Sequence, residues 1–255
     1  MSRPILVSGN WKMNHNHFEA IGFVQRLAAL LRATPLPTER EASVHPPFTS
    51  LRSVQTAVES DKVPVALGAQ TCHYEDRGAF TGAVSAEFLA KLGVRYVIAG
   101  HSERRAMCGE TDEIVRAILD AIWRQHMTPI LCVGETLEER EAAQAESKVE
   151  GQLQVALQGQ KRELVSAMVV AYEPIWAIGT GRTATPDDAG SMATVIRGAV
   201  RAICGAAAAD TVRIQYGGSV TPENAKSLLA ERDVDGFLVG GASLDAESFA
   251  AIAHS

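Results

Sequence analysis

The chain has 255 residues, 46% hydrophobic and 21% charged, so it can bury a large core without disulfides or metal ions. Its net charge of −6 and pI of about 5.7 argue against nucleic acid or an acidic membrane surface as partner, because proteins that bind these are normally basic. No stretch approaches the roughly 20 apolar residues of a membrane span, and four scattered cysteines without C-x-x-C spacing are typical of a cytoplasmic protein.

Short apolar segments recur along the chain, and most of them are continuous rather than alternating. Continuous apolar runs predict strands that are buried on both faces, as in a parallel sheet covered by helices. The predicted strands are Pro4–Gly9, Ala42–His45, Val63–Gly68, Tyr96–Gly100, Pro129–Val133, Met168–Tyr172, Val212–Tyr216 and Gly236–Val239.

Each predicted strand is followed by a segment with helical apolar spacing, and two helix starts are marked by Thr185-Pro186 and Thr221-Pro222. Eight such units without a linker predict an α/β fold, a (β/α)8 barrel that forms a single domain over residues 1–255. The alternative is a doubly wound open sheet with a second small domain. It would carry G-x-G-x-x-G after the first strand, where this chain has Gly9-Asn10-Trp11-Lys12.

Polar residues at the carboxyl ends of the strands matter most, because active sites of such barrels form there. Lys12 follows the first strand, while the other five lysines fall in helical stretches or at the amino ends of strands. His101 ends the fourth strand at a predicted helix start, which disfavours a cationic imidazole and predicts a neutral ring. Glu173 ends the apolar sixth strand, where partial desolvation is expected to raise its pKa and make it a better base. Alternatively, the three are a surface lysine, a structural histidine and a paired carboxylate.

Two further features lie at the same edge of the predicted barrel. The apolar loop Trp176–Gly181 has glycine at its far end, which indicates a lid, although permanent packing on the rim is the alternative. Glycine pairs follow strands seven and eight, with Ser219 after one pair and Gly240 and Gly241 forming the other. Such corners let backbone N–H groups approach a phosphate.

This predicted site suits proton transfer next to the carbonyl group of a small phosphorylated molecule. It combines a cation, a neutral histidine, a glutamate, a phosphate-binding site and a lid. Glu173 would take the proton from carbon, and His101 and Lys12 would stabilise the enediolate oxygens. The histidines show no paired metal-ligand spacing, so we expect no metal ion.

From roughly Pro4 to Ile252 the sequence resembles the triosephosphate isomerase family, which has the TIM barrel fold. The matching segments are Gly9–Asn14, Gly78–Gly82, Gly100–Arg105, Ala171–Gly181, Tyr216–Val220 and Asp235–Ser243. The resemblance implies interconversion of dihydroxyacetone phosphate and glyceraldehyde 3-phosphate in glycolysis and gluconeogenesis, without a cofactor. It implies Glu173 as base, His101 as electrophile and Lys12 as a third catalytic residue. The substrate-binding residues it implies are Asn10, Trp11, Lys12, Gly179, Ser219, Gly240 and Gly241.

The resemblance also implies a cytoplasmic homodimer, in which the loop Gly78–Gly82 reaches the partner subunit near Asn10 and Lys12, with Thr81 at its tip. Two positions depart from the family pattern. Many members carry Glu where this chain has Ala83, and that Glu pairs with the residue matching Arg104, so this contact is missing here. His45 stands where small residues are common.

Two other functions remain to be distinguished. A Schiff-base aldolase on the same fold would need a lysine beside the reacting carbonyl, and Lys12 is the candidate, although that class usually places it on a later strand. A non-enzymatic interaction protein would be expected to lack Lys12, His101 or Glu173, all of which are present.

Overall fold

In the computed structural model, residues 3–178 and 184–255 are described. The strands are Ile5–Asn10 (β1), Arg40–His45 (β2), Ala66–Ala69 (β3), Tyr96–Ala99 (β4), Thr128–Val133 (β5), Val169–Tyr172 (β6), Arg213–Tyr216 (β7) and Gly236–Val239 (β8). They pair in chain order into one closed parallel barrel, with β8 beside β1. The closed barrel confirms the predicted α/β class and (β/α)8 architecture, and the open-sheet alternative is wrong.

Helices follow the strands and cover the outside of the barrel. Their bounds are His17–Ala33 (α1), Phe48–Ser60 (α2), Ala86–Lys91 (α3), Ser102–Cys108 (α4), Asp112–Arg124 (α5), Leu137–Glu141 (α6), Ala145–Leu157 (α7), Arg162–Ala167 (α8), Pro186–Cys204 (α9), Ala206–Thr211 (α10), Pro222–Leu229 (α11) and Ala246–His254 (α12). Two 3₁₀ turns, Ile175–Ala177 and Gly241–Leu244, follow β6 and β8.

The predicted strands agree with the observed ones to within two residues at each end, except at the start of β3. There the strand begins at Ala66 rather than Val63. The Val63 N–H donates to the Val58 carbonyl at the end of α2, and Pro64 has no N–H for a strand ladder. The first apolar residues of that segment therefore close the turn after the helix.

Both predicted helix starts are present. Thr185 and Asp188 cap α9 reciprocally: the Asp188 N–H donates to Thr185 Oγ1, and the Thr185 N–H donates to Asp188 Oδ2. At α11, the Thr221 N–H donates to Asn224 Oδ1. These caps satisfy N–H groups that a helix start leaves without partners, and they fix the helices after β6 and β7.

The apolar core lies mainly between the strands and the helices, and a second, smaller cluster fills the inside of the barrel. Strands such as β4 and β6 are buried along their whole length, as their continuous apolar sequence predicts. The barrel interior also holds polar side chains. Ser8, Ser43, His45 and Gln215 are fully buried there.

Candidate active site

A cavity of about 330 Å³ opens at the carboxyl ends of the strands. The predicted residues that line it are Asn10, Lys12, His101, Glu173, Ser219, Gly240 and Gly241. A larger cavity, about 430 Å³, lies at the opposite end of the barrel beside Arg40, Glu59 and Arg95, and none of the predicted site residues lines it. Residues from five different strand ends therefore meet at the end of the barrel that the sequence indicated.

Glu173 follows β6 directly and is 2% exposed. The Glu173 N–H donates to the Val133 carbonyl, which ties the residue to β5. Of its carboxylate oxygens, Oε1 lies 3.0 Å from His101 Nε2 and Oε2 accepts from the Ser102 N–H at 2.9 Å. Both oxygens are thus engaged by groups at the end of β4.

The sequence predicted a raised pKa for Glu173, and this prediction is wrong. Burial acts to raise the pKa of Glu173, as the sequence suggested. The interactions with His101, the Ser102 N–H and the charge of Lys12 together outweigh burial, so the pKa lies below the usual glutamate value. Glu173 is therefore a carboxylate at neutral pH, ready to accept a proton.

His101 precedes α4 and caps it, since the Glu103 N–H donates to His101 Nδ1 at 3.2 Å. A ring nitrogen that accepts an N–H carries no proton, so the imidazole proton lies on Nε2, which faces Glu173. This arrangement is that of a neutral imidazole with its one N–H directed into the cavity.

Lys12 has a left-handed backbone, with φ of 53°, which is unfavourable for a residue with a side chain. Two side chains hold it there. Its N–H donates to Asn10 Oδ1 at 3.1 Å, and its carbonyl accepts from Gln70 Nε2 at 2.8 Å. Its Nζ lies 2.5 Å from Glu103 Oε1, and because both side chains are partly exposed a bound anion can compete for the ammonium.

The glycine corners after β7 and β8 form one wall of the cavity. The first corner contributes Gly217, Gly218 and Ser219, and the second contributes Gly240 and Gly241. The α11 helix begins just beyond the first corner. Ile178, the last described residue of the predicted lid, also lines the cavity, and Trp176 Nε1 donates to Glu135 Oε1 at 2.8 Å. Gly179 and the rest of the predicted lid, through Gly181, lie outside the described residues.

Trp11 is not brought to the cavity. Its side chain is fully buried beneath the loop and packs edge-on against His15 and Phe23. Its N–H donates to the His45 carbonyl at 3.2 Å, so its backbone helps to join β1 to β2.

Three residues without a predicted functional role contact Glu173 and Lys12 directly: Ser102, Glu103 and Gln70. A signal was present for each. Ser102 and Glu103 come immediately after His101, and Gln70 is the first polar residue after β3.

Within residues 3–178 and 184–255, no three His, Cys, Asp or Glu side chains are grouped as a metal-ion site. Across the same residues, every helix is too short or too polar to cross a membrane.

The sequence matches the family described as "Triosephosphate isomerase" over residues 5–255. Triosephosphate isomerase of Carboxydothermus hydrogenoformans is 50% identical over 252 residues, which are 99% of this chain and 98% of that protein. The proteins of that name from Mycobacterium avium (strain 104) and Cutibacterium acnes are each 49% identical over 253 residues. These residues are 99% of this chain and 97% or 98% of the respective relative.

Proposed function

The chain belongs to the triosephosphate isomerase family, and we propose that it interconverts dihydroxyacetone phosphate and glyceraldehyde 3-phosphate with Glu173, His101 and Lys12 as its catalytic residues. The activity follows from the family match and from relatives that cover almost the whole chain. The observation that carries the residue roles is that these three side chains share one cavity with two glycine corners.

Glu173 is the base that removes the proton from the carbon next to the carbonyl. It is buried and ionised, which gives a carboxylate with little water around it. Because its Oε1 faces His101 and its Oε2 accepts from Ser102, one oxygen must exchange its partner for the substrate C–H. The His101 contact is the one released, because the single N–H of His101 turns to the substrate oxygen while the Ser102 N–H continues to hold Oε2.

His101 and Lys12 stabilise the charge that develops on the substrate oxygens. The His101 Nε2–H is a neutral donor that faces the cavity, so it polarises the carbonyl without a permanent positive charge. Lys12 supplies the positive charge, and Asn10 holds the Lys12 N–H. The ammonium leaves Glu103 for the substrate, an exchange that costs little because that ion pair is partly exposed.

The phosphate binds at the corners formed by Ser219, Gly240 and Gly241, with Gly179 from the lid. Glycine allows backbone N–H groups to approach the phosphate oxygens closely, and the start of α11 adds positive potential. This proposal requires proton transfer by side chains and no cofactor.

A homodimer through the loop Gly78–Gly82 is the arrangement we infer. Met13 is 95% exposed and Phe80 is 41% exposed, and a groove of about 300 Å³ beside Lys12 includes Met13 and Phe48 in its lining. These apolar surfaces support contact with a second copy. Ala83 has no carboxylate for Arg104, which instead pairs with Glu110 of its own chain at 2.6 Å. Sedimentation of the wild type and of Phe80→Asp tests the dimer, and an unchanged dimer in the variant would contradict this interface.

We also infer a cytoplasmic location and a place in glycolysis. Free thiols at Cys72, Cys108, Cys132 and Cys204 support a reducing compartment.

A coupled assay tests the proposed reaction. Purified protein is given dihydroxyacetone phosphate, and glyceraldehyde 3-phosphate is measured with a dehydrogenase that oxidises it. Appearance of the aldehyde is expected, and its absence would contradict the proposal. Borohydride added with substrate provides the second arm, because labelling of Lys12 would indicate a Schiff-base aldolase instead.

A further inference from the structure

His45 is fully buried inside the barrel, at the last position of β2. It pairs across the sheet with Asn10, the last residue of β1. His45 is not one of the proposed catalytic residues, and its ring does not line the cavity. Its neighbours nevertheless lead directly to Lys12.

The backbone pairing between β2 and β3 ends early, at Val44 and Leu67. Beyond this point two side-chain bonds join the strands. His45 Nδ1 lies 3.1 Å from the Ala69 carbonyl, and Gln70 Nε2 donates to the His45 carbonyl at 2.9 Å. A carbonyl can only accept, so Nδ1 is the donor in the first bond. These two bonds replace the missing rungs of the ladder.

The ring itself is held in one orientation. On its other side, Nε2 lies 3.0 Å from Ser43 Oγ, whose hydroxyl lies 2.9 Å from that of Ser8. Gln215 Nε2 donates to Ser8 Oγ at 2.9 Å, so the polar chain crosses the barrel from β7 to β3. Gly68 leaves room for the ring, since a Cβ there would lie 2.2 Å from His45 Cε1.

The same bonds reach the catalytic lysine. The Gln70 amide that donates to the His45 carbonyl also donates to the Lys12 carbonyl at 2.8 Å. The His45 carbonyl also accepts from the Trp11 N–H, one residue before Lys12. We propose that His45 is a positioning residue for Lys12: its ring fixes the end of β3, and with it Gln70, against the loop that holds the lysine in its left-handed conformation.

This inference rests on the proposed role of Lys12, so the test compares variants at both positions. His45→Leu removes both ring bonds while retaining an apolar side chain of moderate size. His45→Asn keeps a donor near the place of Nδ1, because its Nδ2 can reach the Ala69 carbonyl. The control is His254→Leu, since that ring also contacts two backbone carbonyls, those of Ala250 and Thr34, but lies on α12 outside the barrel.

The measurements are kcat and KM for each variant that circular dichroism shows to be folded. We expect His45→Leu to raise KM and lower kcat together, with kcat/KM down about 10-fold, since small misplacements of a catalytic group are costly. His45→Asn should recover most of this loss, and His254→Leu should match the wild type. If His45→Leu does not fold, His45→Ala takes its place with the same expectation.

Binding of inorganic phosphate, measured by calorimetry, shows whether the effect passes through Lys12. His45→Leu should weaken binding when Lys12 is present and have no effect in the Lys12→Met background. An equal loss in both backgrounds, or folded His45 variants with wild-type kcat and KM, would overturn the inference. If Lys12→Met itself leaves the kinetics unchanged, the proposed catalytic role fails, which is a separate result.

Discussion

The two ends of this barrel each contain a glutamate with several hydrogen-bond donors, yet the two groups are suited to different tasks. At the amino end, Glu41 accepts from Tyr96, Arg213 and Arg95 at 2.6–3.0 Å. At the carboxyl end, Glu173 is held by a histidine and one backbone N–H. For both carboxyls burial acts to raise the pKa, and in both the donors overcome it and lower the pKa.

The kind of partner makes the difference. Arg213 and Arg95 stay charged at every physiological pH and offer fixed donors, so Glu41 gains a permanent ion-pair network. His101 and the Ser102 N–H are neutral donors, and the His101 N–H can turn from Glu173 to a bound substrate. A carboxylate with exchangeable partners beside an open cavity can take a proton, whereas one bound to two guanidinium groups only stabilises the barrel.

A matched pair of substitutions, one at each end of the barrel, should separate catalysis from stability. Glu173→Gln keeps the shape but removes the base, so kcat should fall by at least roughly 10²–10⁴-fold with KM little changed. Glu41→Gln should leave kcat unchanged and reduce the free energy of unfolding by about 1–2 kcal/mol, because hydrogen bonds to a charged group are lost. Steady-state kinetics and urea unfolding measure both, and a Glu173→Gln enzyme with most of its kcat would refute the assignment.

Deletion of residues 178–180 tests whether the predicted lid belongs to the carboxyl-end site. The barrel should fold, because a rim loop supplies few core contacts. The rate of isomerisation should fall roughly 10²-fold, since the substrate phosphate is bound more weakly and water enters the active site. A larger share of turnovers should eliminate phosphate and yield methylglyoxal. Methylglyoxal and glyceraldehyde 3-phosphate are measured in the same reaction, and an unchanged product ratio in a folded variant would mean that the segment is rim packing.

The fold and most of the site followed from sequence because most strands contain a short apolar run that is followed by glycine or a polar residue. Lys12, His101 and Glu173 stand directly at such ends, so the parallel barrel had to bring them to one edge. The pKa direction of Glu173 was not predictable, since it depends on His101 and on the Ser102 N–H, which only the folded chain brings near the carboxylate. The buried hydrogen-bonded chain of Ser8, Ser43, His45 and Gln215 was not predictable for the same reason. Its members come from β1, β2 and β7, and only the closed barrel brings them together.

Substitution of Lys12 by Met tests a third charged group, because this ammonium is paired with a partly exposed carboxylate rather than buried in a network. A charge-assisted contact to substrate contributes about 1.5–3 kcal/mol. We therefore expect KM to rise and kcat to fall together, by roughly 10–100-fold in kcat/KM. Loss of stability with intact kinetics would show Lys12 to be a structural lysine.

The ring of His45 is expected to affect stability in mild acid rather than catalysis. Burial lowers the pKa of His45 to about 4, only partly opposed by its bond to the Ala69 carbonyl. Because the unfolded chain binds the proton first, stability is full above about pH 6.5 and falls as the pH drops towards 4, by up to roughly 3 kcal/mol. Glu173, whose pKa is lowered, adds its loss only below about pH 4.5.

Urea unfolding of the wild type and His45→Asn at several pH values in this range measures the effect. The variant should lose less stability between about pH 6.5 and 4.5, because Asn has no proton to gain. Parallel curves for the two proteins would show that His45 does not cause the acid sensitivity.

Glu173, at the carboxyl end, is assigned the removal of a proton from carbon. Incorporation of deuterium from D₂O into the triose phosphates, followed by proton NMR, tests this directly. The wild type and Glu41→Gln should place deuterium on carbon as isomerisation proceeds, whereas Glu173→Gln should exchange that hydrogen at least about 10²-fold more slowly. Exchange by folded Glu173→Gln at the wild-type rate would contradict the assignment, because the proton would then be removed by another group.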